Sequence, residues 1–581
     1  MDKNQVAEIF DEIGTLLELK GENPFKSRAY RNAARTVAAF TEDIEKLVET
    51  GELEEIPGIG EGLAKKIVEL VNSGRLKYYE DLKKSLPAGL VDMLGIPGLG
   101  PKRIKILYDK LKLKTVDQLK DAAEKHKLGK IRGFGEKMEE NILKGIQFLR
   151  KRVDKHLYHR ASAAARRVFE PLAKRKGVIR AEIAGSIRRR KEVIGDIDIL
   201  VSAKRSDSPA LMKAFLSHAD VERVVASGET KSSVALKSAI NCDLRVVSDE
   251  EFPFALAYFT GNKEHNIEMR SLAKKFGWSL NEYGFSPLGA EEKRGKTKRV
   301  VKCRNEEDIY KALGLAYIAP ELRESTGEID AAREGKLPAL VREKDIRGTF
   351  HCHTTYSDGA NTLAEMAEAA RSLGWEYLGI ADHSKAAAYA GGLTKEKVKQ
   401  QQKEIEKINS RLKDFRILKG TEVDILPDGK LDWSDSVLER FDFVVASVHS
   451  RFNMSEGEMT KRIVAALKNK HVTMLGHPTG RLLLEREPYP VNMIEVINAA
   501  SDYGKVIEIN AHPLRLDLDW RLCKYAKEKG VKVSINPDAH NTDGLRDVLY
   551  GVGIARKGWL EKNDIVNTAS LNQVLRLLKL S

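Results

Sequence analysis

A chain of 581 residues is longer than one hydrophobic core ordinarily supports, so three or more domains are expected. Lysine and arginine outnumber aspartate and glutamate by 99 to 85, and the resulting net charge of +14 favours polyanions such as nucleic acid as partners. Four cysteines without paired spacing argue against a disulfide framework and fit a reducing interior. With no apolar run of about 18 residues and no signal-type N-terminus, a soluble intracellular protein with no membrane contact is expected, acting as a monomer.

The N-terminal region reads as helical. Residues 4–19 place Val6, Ile9, Phe10, Ile13, Leu16 and Leu17 on one stripe. A second helix over roughly 25–40 sets Lys26, Arg28, Arg31 and Arg35 around Tyr30. A short pattern then occurs three times: Ile56-Pro57-Gly58-Ile59-Gly60, Ile96-Pro97-Gly98-Leu99-Gly100 and Ile131-Arg132-Gly133-Phe134-Gly135. Each copy precedes a lysine-bearing helical pattern. The glycines permit a tight turn, and the free N–H groups of the following helix can take a phosphate. The repeat resembles the helix-hairpin-helix motif, which grips the DNA backbone without reading sequence.

Residues from about 150 to 180 read as basic helix and lead into Gly185-Ser186-Ile187-Arg188-Arg189-Arg190-Lys191, then Gly195-Asp196-Ile197-Asp198-Ile199. In an extended strand, residues i and i+2 share a face, so Asp196 and Asp198 project together while Ile197 and Ile199 pack behind them. Carboxylates that close repel unless a cation lies between them. A hard divalent ion that completes its shell with substrate phosphates is the natural occupant. The basic cluster offers charge to the same phosphates. Asn241-Cys242-Asp243-Leu244 reads as a second strand with a third acid, enough to hold the two ions of an in-line displacement.

Beyond it lie Tyr258-Phe259-Thr260-Gly261-Asn262, Asn266, Met269-Arg270 and Asn281-Glu282-Tyr283-Gly284. Together with Gly-Ser and the three acids, this pattern resembles the family X DNA polymerases, the group containing DNA polymerase beta. The resemblance implies a nucleotidyltransferase palm with a thumb that adds dNTPs to gapped or primer-template DNA in repair. It implies Mg2+ or Mn2+, with Asp196 and Asp198 holding the ion on the triphosphate and all three acids holding the second. Gly185, Ser186 and Arg189 match the triphosphate-binding positions, and Gly195 and Gly261 join the nucleotide-binding set. Tyr258 and Phe259 match residues against the sugar, Asn266 the minor-groove contact to the base, and Arg270 the check on the template. One departure is Asn241, where the animal enzyme has an arginine. In the N-terminal region the resemblance assigns DNA binding to Gly58, Gly60, Gly98, Gly100, Gly133, Gly135, Lys26 and Tyr30. Lys66 matches a lysine that forms a Schiff base with a 5′-deoxyribose phosphate, although Lys65 and Gly62 beside it depart from the beta pattern.

Pro320 to about Asp345 is polar and reads as a linker. Thereafter histidines crowd: eight of the 13 lie between His351 and His540. Seven apolar runs, near 347–351, 377–381, 416–420, 442–448, 472–476, 505–510 and 531–536, alternate with helical stretches, as in a parallel α/β barrel. At their C-terminal ends fall His351, His353, Asp358, Asp382-His383, Glu422, His449, His477, Asp538 and His540, where barrel chemistry converges. Mixed imidazoles and carboxylates suit zinc, manganese or iron. His471 reads as a surface residue and His512 as a non-ligand. His351-Cys352-His353, Asp382-His383, Gly476-His477-Pro478 and Pro537-Asp538-Ala539-His540 resemble the polymerase and histidinol phosphatase (PHP) domain. That resemblance implies up to three ions, Mn2+ or Zn2+, on His351, His353, Asp358, His383, Glu422, His449, His477, Asp538 and His540. It also implies 3′-to-5′ exonuclease activity, with 3′-phosphatase and abasic-site endonuclease activity as extensions.

The expected architecture is multidomain α/β. It comprises a helical DNA-binding and lyase domain over 1–85, helix-hairpin-helix fingers over 86–150, a nucleotidyltransferase palm over 151–250 and a thumb over 251–319. A linker over 320–345 and a distorted seven-stranded PHP barrel over 346–581 complete it. Rival readings are a nucleotidyltransferase acting on RNA or small substrates fused to a small-molecule phosphatase, and a DNA-binding scaffold with decayed sites.

Overall fold

The computed structural model describes residues 1, 3–38, 44–152, 154–288, 301–387 and 390–578. The chain divides into two compact units, Met1–Val153 and Asp154–Ser581.

The first unit is helical. The stripe expected over 4–19 forms the helix Lys3–Lys20, with Val6, Phe10, Ile13, Leu16 and Leu17 buried. Pro24–Ala38 follows as the second helix, and residues 39 and 40 of the expected span lie outside the described residues. Two apolar clusters divide the unit, one between Val6 and Leu82 and one built mainly from Leu90 to Ile146. Tyr30, expected at the DNA, belongs to the first core instead. It is 5% exposed and stacks on Tyr78 at 5.9 Å between centroids, because its helix turns its aromatic face inward and its arginines outward. All three hairpin turns form, and Gly58, Gly98 and Gly133 take φ of 93°, 78° and 95°, a left-handed conformation that favours glycine. Gly60 and Gly100 then open the helices Glu61–Ser73 and Pro101–Leu111 without a side-chain cap, leaving first-turn N–H groups uncapped.

The second unit begins with the helix Tyr158–Ala173 packed on a five-stranded sheet. The strand order is Val178–Ile183, Asp196–Ala203, Asn241–Val247, Lys231–Leu236, Val221–Ala226. Within this sheet only the pairing of Asp196–Ala203 with Asn241–Val247 is parallel. Helices Phe252–Thr260, Lys263–Lys275 and Glu306–Ala312 and the hairpin Trp278–Asn281 with Gly284–Pro287 form the next layer.

The passage read as a linker is folded. It contains the turn Pro320–Leu322 and the helix Glu328–Glu334, and it buries Leu322, Arg323, Glu328 and Ile329. Its polarity misleads because its charges are paired: Arg323 Nη1 donates to Glu306 at 2.6 Å, and Glu328 lies 2.8 Å from His265.

The C-terminal portion forms a seven-stranded, wholly parallel sheet in sequential order, from Gly348–Thr349 to Val533–Asn536. Its two ends nearly close on each other, with His353 N–H donating to the Ala539 carbonyl at 2.8 Å. Phe350, Tyr377, Leu418, Phe443 and Met474 fill the interior, while the larger apolar cluster lies between strands and surrounding helices. The four cysteines are free and buried. Among the described residues, no helix is long and apolar enough to cross a membrane.

Candidate active sites

Alternation along Asp196–Ala203 buries Ile197 and Ile199, leaves Asp196 exposed and keeps Asp198 half-buried. Parallel register pairs Asp196 with Asn241 and Asp198 with Asp243. Paired residues in a parallel ladder share a face, so the three carboxylates lie on the same side of the sheet. Burial, then Asp196 and Asp243, push the Asp198 carboxyl up to about 7. Gly185 sits against this acid at φ 64°, where a Cβ would fall 2.3 Å from Asp198 Oδ2, so no side chain fits. Asp196, Asp243, Lys231, Asn241, Gly195 and Lys155 border an open recess. Lys231 Nζ lies 2.7 Å from Asp243 Oδ2. The hydroxyl of Ser186 is buried and makes no hydrogen bond. Three acids on one face beside an unpartnered hydroxyl fit divalent cations and phosphate oxygens.

The basic cluster differs from the sequence reading. Arg188 donates to Thr260 Oγ1 at 2.7 Å and to Glu306 at 2.6 Å. Arg189, expected to hold the triphosphate, is 7% exposed and points inward, donating to Glu324 at 3.0 Å and to the Thr260 carbonyl at 2.6 Å. Arg190 reaches Glu343 and the Leu549 carbonyl. A buried guanidinium needs a paired carboxylate, and Glu306 and Glu324 supply it. These side chains tie the turn to the following layers, and phosphate contacts from Arg189 would require that pairing to break.

Tyr258 and Phe259 pack edge to face at 5.2 Å, and the Arg245 guanidinium lies 4.2 Å from the Phe259 ring centre. Gly261 leaves no space for a side chain beside Asn266. Asn266 Nδ2 donates to the Tyr258 carbonyl at 2.7 Å, and Arg270 Nε donates to the Asn266 carbonyl at 3.2 Å. Tyr258, Asn266 and Arg270 all line a small apolar recess beside Asn281.

In the barrel, side chains carried by successive strand ends and their adjoining loops converge. Three overlapping groups have ligand atoms within 4.8 Å of one another: His353, Asp358, His383 and His540; His351, His353 and Asp538; His383, Glu422 and His449. His477 Nε2 joins them at 3.0 Å from Glu422 and 3.3 Å from His449. His351 Nε2, His353 Nδ1 and His477 Nδ1 are buried without hydrogen bonds. Imidazole nitrogens so orphaned among carboxylates fit transition-metal ions. His477 and Asp538 carry φ of 22° and 53°, backbone strain of the kind that concentrates at functional sites.

The electrostatics of the cluster are tightly linked. Burial depresses His351, but Glu508, Glu422 and Asp538 overcome this and raise it well above the usual range. Burial, with His540 and His383, holds His353 down at about 3. Burial opposes protonation of His449, yet Glu422 and Asp424 raise it to about 10. Against burial, Asp358 and Asp538 raise His540 to about 9.

Several participants were not legible in the sequence. Glu508 lies 2.7 Å from His351 Nδ1, and Asp424 lies 2.5 Å from His449 Nδ1; each orients a ring so that its other nitrogen faces the cluster. Period-2 placement inside strands was the signal available for both. Arg515 Nε lies 3.5 Å from Asp538 at the rim. Asp382, counted among the strand-end candidates, is fully buried and accepts hydrogen bonds from Thr354, Ser357 and Gln401, so it braces the ligand loop instead. His512 is half-buried beside the cluster, with desolvation lowering it to about 4, and its Nδ1 accepts from Leu514 N–H at 3.3 Å.

In the first unit, Lys66 Nζ donates to the Gly62 carbonyl at 2.9 Å and lies 5.3 Å from the Tyr78 ring centre. Lys26 Nζ lies 5.4 Å from the same ring. Lys65 is paired with Glu61 at 2.5 Å.

Fold and sites define a nucleotidyltransferase-type palm joined to a phosphoesterase-type barrel. Family models agree: DNA polymerase beta thumb matches residues 255–324, helix-hairpin-helix domain 1–76, SAM-like helix-hairpin-helix tandem 90–147, and PHP domain 349–512. The chain is 40% identical over 582 residues to the DNA polymerase/3′-5′ exonuclease PolX of Bacillus subtilis (strain 168), with the whole of both chains covered. It is 32% identical over 232 residues to a protein of Thermoanaerobacter sp. (strain X514) described as a "probable phosphatase", covering 38% of this chain and 89% of that one. It is 25% identical over 339 residues to DNA polymerase lambda of Rattus norvegicus, covering 55% and 56%. The chain belongs to the family X DNA polymerases that carry a C-terminal PHP domain.

Proposed function

We propose that this protein fills short gaps in DNA during repair and trims 3′ ends at a separate site in its C-terminal domain. The observation that carries the polymerase reading is the pairing of Asp198 with Asp243 across parallel strands, with Asp196 on the same face. Asp196, Asp198 and Asp243 would hold Mg2+ or Mn2+, and the barrel cluster would hold Mn2+ or Zn2+. When bound, such ions neutralise charge at the transferring phosphorus and make a hydroxyl or water a better nucleophile. Ser186 Oγ, unpartnered in the free enzyme, donates to a triphosphate oxygen. Tyr258 and Phe259 support the incoming sugar, and Asn266 exchanges its bond to the Tyr258 carbonyl for the base edge. Uncapped helix N-termini at the hairpin turns hold the DNA backbone independently of sequence.

In the barrel, Glu508 and Asp424 orient His351 and His449, and Arg515 adds positive charge at the rim for the scissile phosphate. The relative named as a probable phosphatase supports 3′-phosphatase activity beside resection, and abasic-site endonuclease activity is a further reaction proposed for the same cluster. Lys66 is the candidate Schiff-base lysine of a lyase step, with Lys26 on the same ring of Tyr78 offering charge to the sugar phosphate.

One assay series tests this reading: purified protein on gapped, nicked and abasic duplexes, with and without manganese, alongside RNA ends and free phosphate esters. Extension on gapped DNA with 3′ resection is expected. A preference for RNA ends or free esters would overturn it.

A further inference from the structure

We propose that Lys557, contributed by the PHP domain, is a positioning residue of the polymerase nucleotide site. It sits at the end of the helix Val548–Lys557, which lies between palm and barrel. Two glycines allow that placement. A Cβ at Gly553 would stand 2.9 Å from Arg190 Cδ, and one at Gly551 would stand 2.5 Å from Ile535 and 2.7 Å from Ala511. One face of the helix therefore meets the palm turn and another meets the barrel strands.

The Lys557 side chain is fully buried. Its ammonium donates to the main-chain carbonyl of Arg189 at 3.1 Å and to Glu324 Oε1 at 2.5 Å. Glu324 in turn accepts from Arg189 Nε at 3.0 Å and from Asn262 Nδ2 at 3.4 Å, and Lys191 Nζ lies 3.8 Å from it. Asn262 caps the helix Lys263–Lys275 by accepting from His265 N–H at 2.7 Å, and that helix carries Asn266 and Arg270. One carboxylate thus joins the turn that presents Gly185 and Ser186 to the helix that presents Asn266 and Arg270. Lys557 holds both that carboxylate and the backbone of the turn.

A buried ammonium is costly, and a well-packed apolar side chain would often serve stability as well or better. Burial indeed draws Lys557 down to about 8, against the opposing pull of Glu324. What an apolar residue cannot do is donate to a carbonyl of the turn and fix its height relative to the thumb. A second tie points the same way. Arg481, four residues after the metal-cluster member His477, is buried, donates to Asp519 and lies 3.8 Å from Glu192 in the same palm segment. The C-terminal domain therefore buttresses the nucleotide site through side chains that belong to neither ion cluster.

The role rests on the polymerase reading and is tested with the full-length chain carrying Lys557→Met, Glu324→Gln, or both. Extension of a gapped duplex is followed at varied dNTP concentration, and 3′ resection is measured on the same preparations. Each single variant should raise KM for dNTP about tenfold, with a smaller change in kcat and resection within about twofold of the unaltered chain. The double variant should be no worse than either single one, because the residues act as a unit. An unmoved KM in Lys557→Met, multiplying effects in the double variant, or resection falling in step with extension would overturn the proposal. Absence of extension by the unaltered chain would refute the polymerase reading itself. Normal extension with an unmoved KM would refute only the role of Lys557.

Discussion

Asp198 and Asp243 stand opposite each other in the register of two parallel strands, and the charge of one is felt by the other. Burial, then the charges of Asp196 and Asp243, push the Asp198 carboxyl from the ordinary 3.8 up to about 7. For a carboxyl raised on folding, the folded state holds the extra proton between those values, so stability is lost as pH rises through that window. Metal-free protein should therefore unfold at lower temperature at pH 8 than at pH 5 in this part of the chain. Asp198→Asn should remove the loss, worth on the order of a few kcal/mol. Mg2+ should raise the unfolding temperature of the unaltered protein more at pH 8 than at pH 5. Thermal unfolding in chelator and in magnesium decides it; an equal gain at both pH values would contradict the linkage.

Ser186 offers a cleaner probe of the nucleotide site, because its buried hydroxyl has no partner in the free enzyme. Ser186→Ala should leave stability unchanged or raise it by up to about 1 kcal/mol, since an unsatisfied polar group is removed. The same change should raise KM for dNTP several-fold. A drop in stability with unchanged KM would mean that the hydroxyl serves the fold.

The histidine cluster should load metal with proton release. His449 and His540, raised to about 10 and about 9 by neighbouring acids, favour the metal-free fold most below pH 6.5. That contribution is lost as pH rises through 9 to 10, and bound ions must displace the same protons. Manganese affinity should therefore climb by at least about tenfold between pH 6 and pH 9. Calorimetry in buffers of different ionisation enthalpy should register the released protons, and a flat affinity without release would contradict the assignment.

Lys66 can be marked chemically. Borohydride reduction in the presence of a 5′-deoxyribose phosphate end should cross-link the unaltered protein and fail with Lys66→Ala. Undiminished trapping in the variant would move the lyase role to another amine.

Short local patterns were readable in the sequence. Asp196 and Asp198 lie two apart on a strand, the hairpin turns repeat, and the metal-cluster histidines follow apolar runs, so spacing alone located them. Long-range pairing was not readable. Arg188 and Arg189 meet Glu306 and Glu324 across separations of 118 and 135 residues, and Lys557 meets the Arg189 carbonyl across 368. Those partners turned a cluster that reads as a phosphate grip into a fastening between layers. The same pairing hid the fold of 320–345, whose charges look solvated until Arg323 and Glu328 find their partners inside. Tyr30 misled for the converse reason, since arginines around an aromatic residue do not reveal which face is buried.

The central claim is that two independent centres act on one DNA end. A gapped duplex with a labelled primer, given to Asp243→Ala and to His351→Ala in turn, tests it most directly. Asp243→Ala should lose extension by two orders of magnitude or more while still shortening the primer, and His351→Ala should still extend while shortening is lost, each by at least about 100-fold. Loss of both reactions in either variant, or primer shortening that survives His351→Ala, would contradict the account.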